Sequence, residues 1–498
     1  MLEANPMSVL TIDAGTTGVT ALIVSENGTV LARGYHEFGQ HYPQTGWVEH
    51  VPEEIWQATL AACQEALDAT GTTPTCVGIT NQRETAVLWN RARGNSPRRA
   101  IVWQDRRTAG ICTELRDEGH ESRVTDVTGL RLDPYFTATK LTWVKRNDRR
   151  AWSGVESGDV VVGTVDSYIV SRLTNGARHV TDASNASRTL LYDIRTRQWS
   201  PEMCELFGVP ASALPEVVPS YGRVGETDPD VFLGLRIPIS GIAGDQQAAM
   251  FGQTCYQPGS SKCTYGTGSF VLLNTGTEVV EPKHGLLSTV LWQHPDGATE
   301  YALEGSIFVT GAAVQWLRDG LGLIDRAPQS EALAASVSDS AGVVFVPALT
   351  GLGAPDWDPQ ARGAVFGITR GTGRAHLARA TLEAIAFEVR DVAEAMANAS
   401  GKQLPELRVD GGAAGNNLLC QIQSNQLSVS VARPVVQETT ALGAAFLAGL
   451  GTGVWESTEE LARTWQLDRR FEPGQRDDTA YRRWRAAVER SKGWADLG

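Results

Sequence analysis

Two turns rich in glycine and threonine carry the residue types that bind phosphate. The first, residues 12–18, reads IDAGTTG, and the second, residues 264–270, reads TYGTGSF. Backbone N–H groups exposed at glycines, with threonine hydroxyls beside them, form a nest for anions. The carboxylate of Asp13 in the first turn could position a divalent metal. Two such turns facing each other across a cleft could therefore hold a polyphosphate between them.

The commoner phosphate-binding loops do not occur in the sequence. A Walker loop ends in Gly-Lys-Ser/Thr at a helix start, and a Rossmann fingerprint places G-x-G-x-x-G between a strand and a helix. An apolar, β-rich run follows each of the two turns instead, so each turn is predicted to be the tip of a hairpin. A hairpin of this composition is usually structural, and the first turn taken alone does not decide between the two interpretations.

The elements that must position these turns alternate between strands and helices. Asn27-Gly28 is a strong signal for a hairpin turn, so the chain is predicted to begin as a β-meander. Residues 376–398 have apolar side chains at helical steps and predict a long helix with a buried stripe. Residues 407–410 predict a strand that runs into the glycine turn 411–417 and a further helix, an arrangement suited to anions. Residues 441–450, rich in alanine and glycine, predict a third helix.

Length and composition indicate a multidomain globular protein. The 498 residues exceed a single core, so roughly two to four domain-sized units are expected. A net charge of −13 without a basic patch argues against a nucleic-acid or anionic-membrane partner. No long apolar run occurs, and residues 1–6 lack a signal-peptide pattern, so a cytoplasmic location is expected. The seven scattered cysteines include no C-x-x-C pair, so neither disulfides nor zinc are expected.

A change of domain is predicted near residue 250. Loop-like, proline-bearing sequence runs from about residue 208 to 238, before the apolar run 239–244. The spacing of the two glycine turns fits the same boundary. We therefore expect an N-terminal domain over residues 8–250 and a C-terminal domain over residues 251–490.

Several long strings resemble one known family. They include GITNQRET at residues 78–85, GIAGDQQAA at 241–249, GLGAP at 351–355 and RVDGG at 408–412. In length and order they resemble the FGGY family of carbohydrate kinases, within the superfamily of actin, hexokinase and sugar kinases, from about residue 8 to 490. The resemblance implies an α/β fold of two actin/hexokinase-like (ribonuclease H-like) domains, with ATP and substrate in the cleft between them.

The strings are similar above all to family members that phosphorylate glycerol, which implies ATP, Mg²⁺ and glycerol as ligands and a homodimer or homotetramer. Phosphoryl transfer to an alcohol needs a proton acceptor near the hydroxyl. By resemblance Asp245 is that base, and burial behind residues 242–244 would raise its pKa and make it a better proton acceptor. Asp245 could instead be a helix N-cap ahead of Gln246. Asp13, the second implied catalytic residue, would orient Mg²⁺ through water.

The implied acceptor site combines hydroxyl-binding groups with apolar walls. Arg83 and Glu84 suit hydroxyls because a guanidinium donates in a fork and a carboxylate accepts. On a surface helix the same pair would be only solvated charge, and aromatic residues are more often core than ligand walls. With Asp245, the acceptor residues implied by the resemblance are Arg83, Glu84, Trp103, Tyr135, Gln246 and Phe270.

The nucleotide is expected to bind at both glycine turns and in the second half of the chain. Around Gly311 a small residue would admit the nucleotide, and Gln315 lies one helical turn further on. The full set implied by the resemblance is Thr16, Thr17, Gly18, Thr267, Gly311, Gln315, Gly412 and Asn416.

Two departures from the family pattern affect nucleotide binding and regulation. Members that phosphorylate glycerol carry glutamine and arginine where this chain has Ala14 and Thr20. The missing arginine predicts weaker ATP binding or a different phosphoryl donor. Residues 227–232 carry two carboxylates where members inhibited by fructose 1,6-bisphosphate have a lysine-bearing glycine loop. We therefore expect no such inhibition here, although Arg236 remains.

Three other functions stay open on the sequence alone. One is a kinase for another small polyol or a ketose, which needs longer hydroxyl recognition than Arg83, Glu84 and Tyr135 provide. Another is a chaperone-like or filament-forming ATPase of the same superfamily, which has no acceptor. The third is a catalytically idle sensor, which the presence of both Asp13 and Asp245 disfavours.

Overall fold

The structure is a computed structural model that describes residues 7–497. Residues 1–6, on which the expectation of no signal peptide depends, lie outside the described residues. Within residues 7–497 no helix is both long enough and apolar enough to cross a membrane. All seven cysteines are buried free thiols.

The first half of the chain alternates strands with helices. Its strands are β1 (Ser8–Ala14), β2 (Gly18–Ser25), β3 (Val30–Glu37), β4 (Glu49–His50), β5 (Cys76–Asn81), β6 (Val87–Asn90), β7 (Ala100–Ile101), β8 (Val160–Gly163), β9 (Val180–Asp182), β10 (Tyr192–Asp193), β11 (Gln198–Trp199), β12 (Glu216–Val218), β13 (Tyr221–Glu226) and β14 (Pro238–Gly244). Its helices are α1 (Pro52–Thr70), α2 (Ala109–Asp117), α3 (Glu121–Thr128), α4 (Thr137–Asn147), α5 (Arg149–Ser157), α6 (Val165–Leu173), α7 (Ala183–Ala186), α8 (Pro201–Phe207) and α9 (Asp245–Gly252).

The second half opens with strands and then becomes mainly helical. Its strands are β15 (Ser261–Tyr265), β16 (Ser269–Gly276), β17 (Leu287–Gln293), β18 (Thr299–Ile307), β19 (Val344–Val346), β20 (Ala364–Phe366), β21 (Glu406–Asp410), β22 (Ser430–Pro434) and β23 (Leu467–Phe471). Its helices are α10 (Gly311–Gln315), α11 (Gln329–Ala335), α12 (Arg374–Ser400), α13 (Asn417–Leu427), α14 (Thr439–Thr452), α15 (Thr458–Ala462) and α16 (Asp478–Ser491).

Each half contains one large sheet, and the two sheets share the arrangement of their central strands. In the first, the antiparallel meander β1–β2–β3 continues through β5 and β14, both parallel to β1, to the edge strand β13. In the second, the antiparallel run β15–β16–β18 continues through the parallel strands β21 and β22. The two predicted glycine turns therefore occupy equivalent places, at the tips of β1–β2 and β15–β16.

Helix α14 connects the two halves. It lies within the range predicted for the C-terminal domain, yet it packs on β1, β5 and β14 of the first sheet and on α9. Glycine allows this close approach, because a Cβ at Gly443 would lie 1.8 Å from the carbonyl oxygen of Ala248. The chain of the second half thus returns to cover the first sheet.

The structure confirms most of the predicted elements and corrects one. Helix α12, strand β21 and helix α14 lie where the sequence predicts them, and the apolar stripe of α12 is buried. The range 208–238, predicted to be loop, contains the short strand β12 and the edge strand β13. Its pairing with β14 shifts register between Tyr221 and Gly225, which interrupts the alternation that would identify a strand.

Candidate active site

Asp13 and Asp245 stand at one edge of the first sheet. Asp13 is the last residue but one of β1, and Asp245 is the first residue of α9, directly after β14. Strands β1, β5 and β14 are parallel, so their carboxyl ends meet at the edge where open α/β sheets bind ligands. The structure therefore brings together the two carboxylates that the sequence singled out.

The carboxylate of Asp245 is held through one of its oxygens. Oδ1 accepts a hydrogen bond from the backbone N–H of Gln246 at 2.7 Å and lies 3.1 Å from Nε of Arg83. The helix N-cap position belongs to Gly244, so capping does not account for the presence of this carboxylate. Burial raises the pKa of Asp245, although Arg83 and Lys262 act in the opposite direction.

The carboxylate of Asp13 suits a bound cation. Burial raises its pKa to about 8, with the negative charges of Asp245 and Glu438 as further causes and no hydrogen-bond donor among the described residues to oppose them. A divalent metal would stabilise the ionised form that this surrounding disfavours. A single carboxylate also suits Mg²⁺, because this ion usually keeps several water ligands when a protein binds it.

Arg83 and Glu84 are buried, not solvated as on a surface helix. They lie between β5 and β6, with 2% and 1% of their surfaces exposed. The guanidinium of Arg83 donates to the side-chain oxygen of Gln247 at 3.3 Å and to the hydroxyl of Tyr135 at 3.2 Å. Glu84 has a φ of 61°, a left-handed conformation that non-glycine residues rarely adopt and that clusters at functional sites.

Two charged residues that the sequence reasoning missed complete this cluster. Glu304, on β18 of the second sheet, is fully buried and accepts from Arg83 Nη1 at 2.6 Å and Nη2 at 3.1 Å. Arg188 donates from Nε to Glu84 at 2.7 Å and from Nη2 to Glu304 at 2.9 Å. Burial opposes ionisation of Glu304, but the two guanidinium groups hold its pKa at about 2.

Gln246 is oriented by a buried lysine that was also missed. The ammonium of Lys262 donates to Oε1 of Gln246 at 2.5 Å and to the hydroxyl of Thr264 at 2.7 Å. That hydroxyl in turn donates to Asp410 at 2.5 Å. Burial lowers the pKa of Lys262, while Asp410 and Asp245 oppose the shift. The amide of Gln246 is thereby fixed next to Asp245.

Aromatic side chains border the charged cluster. The ring of Trp103 lies 5.7 Å from that of Tyr135 and 6.1 Å from that of Phe270, between ring centroids. Arg83 stands 5.6 Å from the Phe270 centroid. Trp103 and Tyr135 also line a cavity of about 440 Å³ together with Phe308 of the second half. The predicted acceptor residues are thus brought together around Asp245.

A second cavity of about 380 Å³ lies in the second half of the chain. It is lined by all five residues predicted there to contact the nucleotide, Thr267, Gly311, Gln315, Gly412 and Asn416. A Cβ at Gly311 would lie 2.6 Å from the carbonyl oxygen of Gly266, so only glycine fits, whereas a Cβ at Gly412 would meet no atom within 4 Å. The cavity wall is therefore bare backbone at Gly412.

Helix α11 forms another wall of this second cavity, and the sequence did not predict that wall. Ser330 and Glu331 of α11 line it. Glu331 accepts from the backbone N–H and the side-chain amide of Asn417, both at 3.1 Å. These contacts fix α11 against the start of α13.

The first glycine turn lies close to the residues around Asp245. The indole N–H of Trp103 donates to the hydroxyl of Thr16 at 2.9 Å, which connects the turn to the aromatic wall. Thr17 is exposed and Gly18 is buried, and neither lines the two cavities described above. The structure thus joins Thr16 to the site directly and places Thr17 and Gly18 beside it in the same turn.

The structure shows the surroundings of the two departures from the family pattern, Thr20 and residues 227–232. Thr20 is buried on β2, directly opposite Asp13 of β1 and Tyr35 of β3, and so shares a sheet face with both. In residues 227–232, Asp228 accepts from the side-chain amide of Asn175 at 3.2 Å and from the backbone N–H of Asp230 at 3.0 Å. Asp230 is exposed and Asp228 is half-buried, so both carboxylates of this loop lie at or near the surface.

Known proteins match this chain along almost its whole length. The N-terminal domain description of the FGGY family of carbohydrate kinases matches residues 8–252, and its C-terminal domain description matches residues 261–452. The glycerol kinase of Dechloromonas aromatica (strain RCB) is 53% identical over 502 residues, with 100% of both chains covered. Glycerol kinase 2 of Thermotoga maritima is 51% identical and covers 98% of this chain and 99% of its own length.

Solved structures also match this chain along almost its whole length. Plasmodium falciparum glycerol kinase with ADP superposes with a TM-score of 0.89 at 34% identity, covering 98% of each chain. A ligand-bound xylulose kinase from Lactobacillus acidophilus has a TM-score of 0.84 at 20% identity, which shows the fold alone, over 99% of this chain and 97% of its own. The predicted two-domain actin/hexokinase-like fold is confirmed. The chain is therefore a kinase and belongs to the FGGY family of carbohydrate kinases.

Proposed function

We propose that this kinase uses ATP to phosphorylate glycerol to sn-glycerol 3-phosphate. The observation that carries the proposal is an identity of 53% and 51%, along the full length, with two proteins named glycerol kinase. The small, charged acceptor cluster around Asp245 supports it, because a short polyol presents many hydroxyls and little apolar surface.

The acceptor is proposed to bind at Arg83, Glu84 and Tyr135. Glu84 uses Oε1 for Arg188, so Oε2 remains to accept from a hydroxyl. The Arg83 guanidinium already donates to Glu304, Gln247 and Tyr135, so a bound hydroxyl would share the N–H that points to Tyr135. Gln246 would supply a further amide contact, while Trp103 and Phe270 would face the carbon backbone.

Asp245 is proposed to be the general base. Its contacts with Arg83 and with the Gln246 backbone both use Oδ1, so Oδ2 is available to take the hydroxyl proton. The pKa raised by burial makes this carboxylate a stronger proton acceptor than a free aspartate. Loss of the proton turns the hydroxyl oxygen into a better nucleophile for the phosphoryl group.

ATP is proposed to bind in the cavity of Thr267, Gly311, Gln315, Gly412 and Asn416, with its phosphates directed to the first glycine turn at Thr16, Thr17 and Gly18. Asp13 is proposed to hold Mg²⁺ through water. Bound Mg²⁺ would neutralise charge that develops on the phosphates. The glycines of both turns leave backbone N–H groups accessible to phosphate oxygens.

The proposed division of the chain assigns one ligand mainly to each domain. Residues 8–250 would form the N-terminal domain, with the acceptor and phosphate contacts, and residues 251–490 the C-terminal domain, with the nucleotide cavity. Helix α14 of the second domain would remain packed on the first. The homodimer or homotetramer expected from the resemblance stays a prediction.

An acceptor panel tests the proposal. ADP release would be measured with ATP and Mg²⁺, without acceptor and with glycerol, other small polyols and ketoses. We expect strong stimulation by glycerol. A preference for another polyol or a ketose would refute glycerol as the substrate, and ADP release that is independent of any acceptor would indicate an ATPase.

A further inference from the structure

Glu304 joins the two halves of the molecule at the acceptor site. It belongs to β18 of the second sheet, and all its charged partners belong to the first half of the chain. Oε2 accepts from Arg83 Nη1, and Oε1 accepts from Nη2 of both Arg83 and Arg188. The hydroxyl of Ser306 completes the shell of Oε1 at 3.1 Å. Both carboxylate oxygens are therefore fully occupied in a buried setting.

The contacts of Glu304 determine which nitrogen of the Arg83 guanidinium faces Asp245, the proposed base. Two parallel N–H bonds to Glu304 occupy the forked end of the guanidinium, the strongest arrangement available to an arginine and a carboxylate. Only Nε then remains directed toward Asp245, at 3.1 Å from Oδ1. Arg83 thus contacts a single oxygen of Asp245 and leaves Oδ2 unengaged.

Arg188 ties the same carboxylate to the acceptor residue Glu84. Its Nε donates to Glu84 and its Nη2 donates to Glu304, so one planar group spans the two carboxylates. Arg188 is fully buried, and no acceptor within residues 7–497 faces its Nη1. Displacement of Glu304 would therefore move Glu84 as well as Arg83.

We propose that Glu304, acting with Arg188, is a positioning residue that keeps the forked end of Arg83 away from Asp245 and so preserves Oδ2 as the proton acceptor. Without this carboxylate, Arg83 is free to turn its fork onto Asp245 and engage both oxygens. A base paired in that way accepts a proton less readily. The proposal rests on the function proposed above, because it assigns a role within that reaction.

Glu304→Gln tests the role with little change in shape. An amide keeps one acceptor oxygen but presents N–H donors to the guanidinium groups. We expect kcat to fall roughly 10- to 100-fold, the size of a lost charge-assisted hydrogen bond, and KM for glycerol to rise about tenfold. KM for ATP is expected to stay within about twofold, because its cavity lies elsewhere. Glu304→Asp, which restores the charge on a shorter side chain, should recover part of kcat.

A matched control separates positioning from loss of a buried ion pair in general. Asp391 is also a buried carboxylate of the second half, and it pairs with Arg485 at 2.7 Å outside the described site. Asp391→Asn is expected to leave kcat and KM for glycerol near the wild-type values. Equal kinetic losses in Asp391→Asn and Glu304→Gln would overturn the positioning role.

A double variant makes the test independent of stability. If Glu304 acts through Arg83, the combination of Arg83→Lys and Glu304→Gln should lose little more kcat than Arg83→Lys alone. Fully multiplicative losses, or Glu304→Gln kinetics within about twofold of wild type, would overturn the proposal. If the wild type prefers another polyol, glycerol is refuted as the substrate, and the same variants assayed with that polyol still decide the role of Glu304.

Discussion

Replacing Asp13 by asparagine should stabilise the metal-free protein at neutral pH, although it removes the carboxylate that is proposed to hold Mg²⁺. The folded protein holds the Asp13 carboxyl at a pKa of about 8, against an ordinary value of 3.8, because of burial and the charges of Asp245 and Glu438. The folded state therefore binds a proton that the unfolded chain releases. Because folding must take up this proton from a neutral solution, Asp13 lowers the stability of the metal-free protein at neutral pH.

The magnitude follows from the difference in pKa. At pH 7 the pH lies about three units above the pKa of Asp13 in the unfolded chain. Each unit corresponds to about 1.4 kcal/mol, so the destabilisation amounts to about 4 kcal/mol. Because the pKa of Asp13 is higher in the folded state than in the unfolded state, the destabilisation is absent below about pH 4. It grows between about pH 4 and about pH 8 and then levels off. Asp13→Asn, which carries no charge, should be more stable than the wild type by this pH-dependent amount.

The assay is urea unfolding of the wild type and Asp13→Asn between pH 5 and pH 8, in buffer with a chelator. The difference in the free energy of unfolding should grow by about 1.4 kcal/mol per pH unit. Asp68→Asn, at an exposed carboxylate of α1, is the matched control and should show no such trend. A difference between the wild type and Asp13→Asn that stays flat across this range would show that folding does not raise the pKa of Asp13, and a less stable Asp13→Asn would contradict the expected sign.

Two further predictions concern the departures from the family pattern. Thr20→Arg should lower KM for ATP about tenfold by adding a charged contact to the phosphates, and an unchanged KM in steady-state kinetics would count against a role for this position. Fructose 1,6-bisphosphate at submillimolar concentration should leave glycerol phosphorylation unaffected, because residues 227–232 carry two carboxylates that repel it. Inhibition in the same assay would contradict that expectation.

The parts of the candidate site that the sequence singled out and the structure brings together are local in the chain. The turn at residues 12–18 places Asp13 and Thr16 a few residues apart, and the string at 241–249 places Asp245 directly after a buried strand. In such cases neighbouring residue types determine the local conformation, so their pattern carries the information. The equivalent hairpin tips of the two sheets follow from the same signals.

The missed residues depend on contacts between distant parts of the chain. Glu304 meets Arg83 across 221 positions, and Arg188 meets Glu304 across 116. The local signal was a carboxylate among the apolar residues of β18, a strand that also carries Glu300, and a buried carboxylate requires a partner but does not identify it. Helix α14 was predicted as a helix, yet its packing on the first sheet depends on Gly443 meeting Ala248, which no local pattern reveals.

The proposed reaction depends on Asp245 as the base in phosphoryl transfer from ATP to glycerol. The most direct measurement compares glycerol-dependent ADP release, with direct detection of glycerol 3-phosphate, in the wild type and in Asp245→Asn. We expect glycerol-dependent product in the wild type and a fall of roughly 100- to 10,000-fold in kcat for Asp245→Asn, the range for loss of a general base. Wild-type-like turnover in Asp245→Asn, or no glycerol phosphorylation by the wild type, would contradict it.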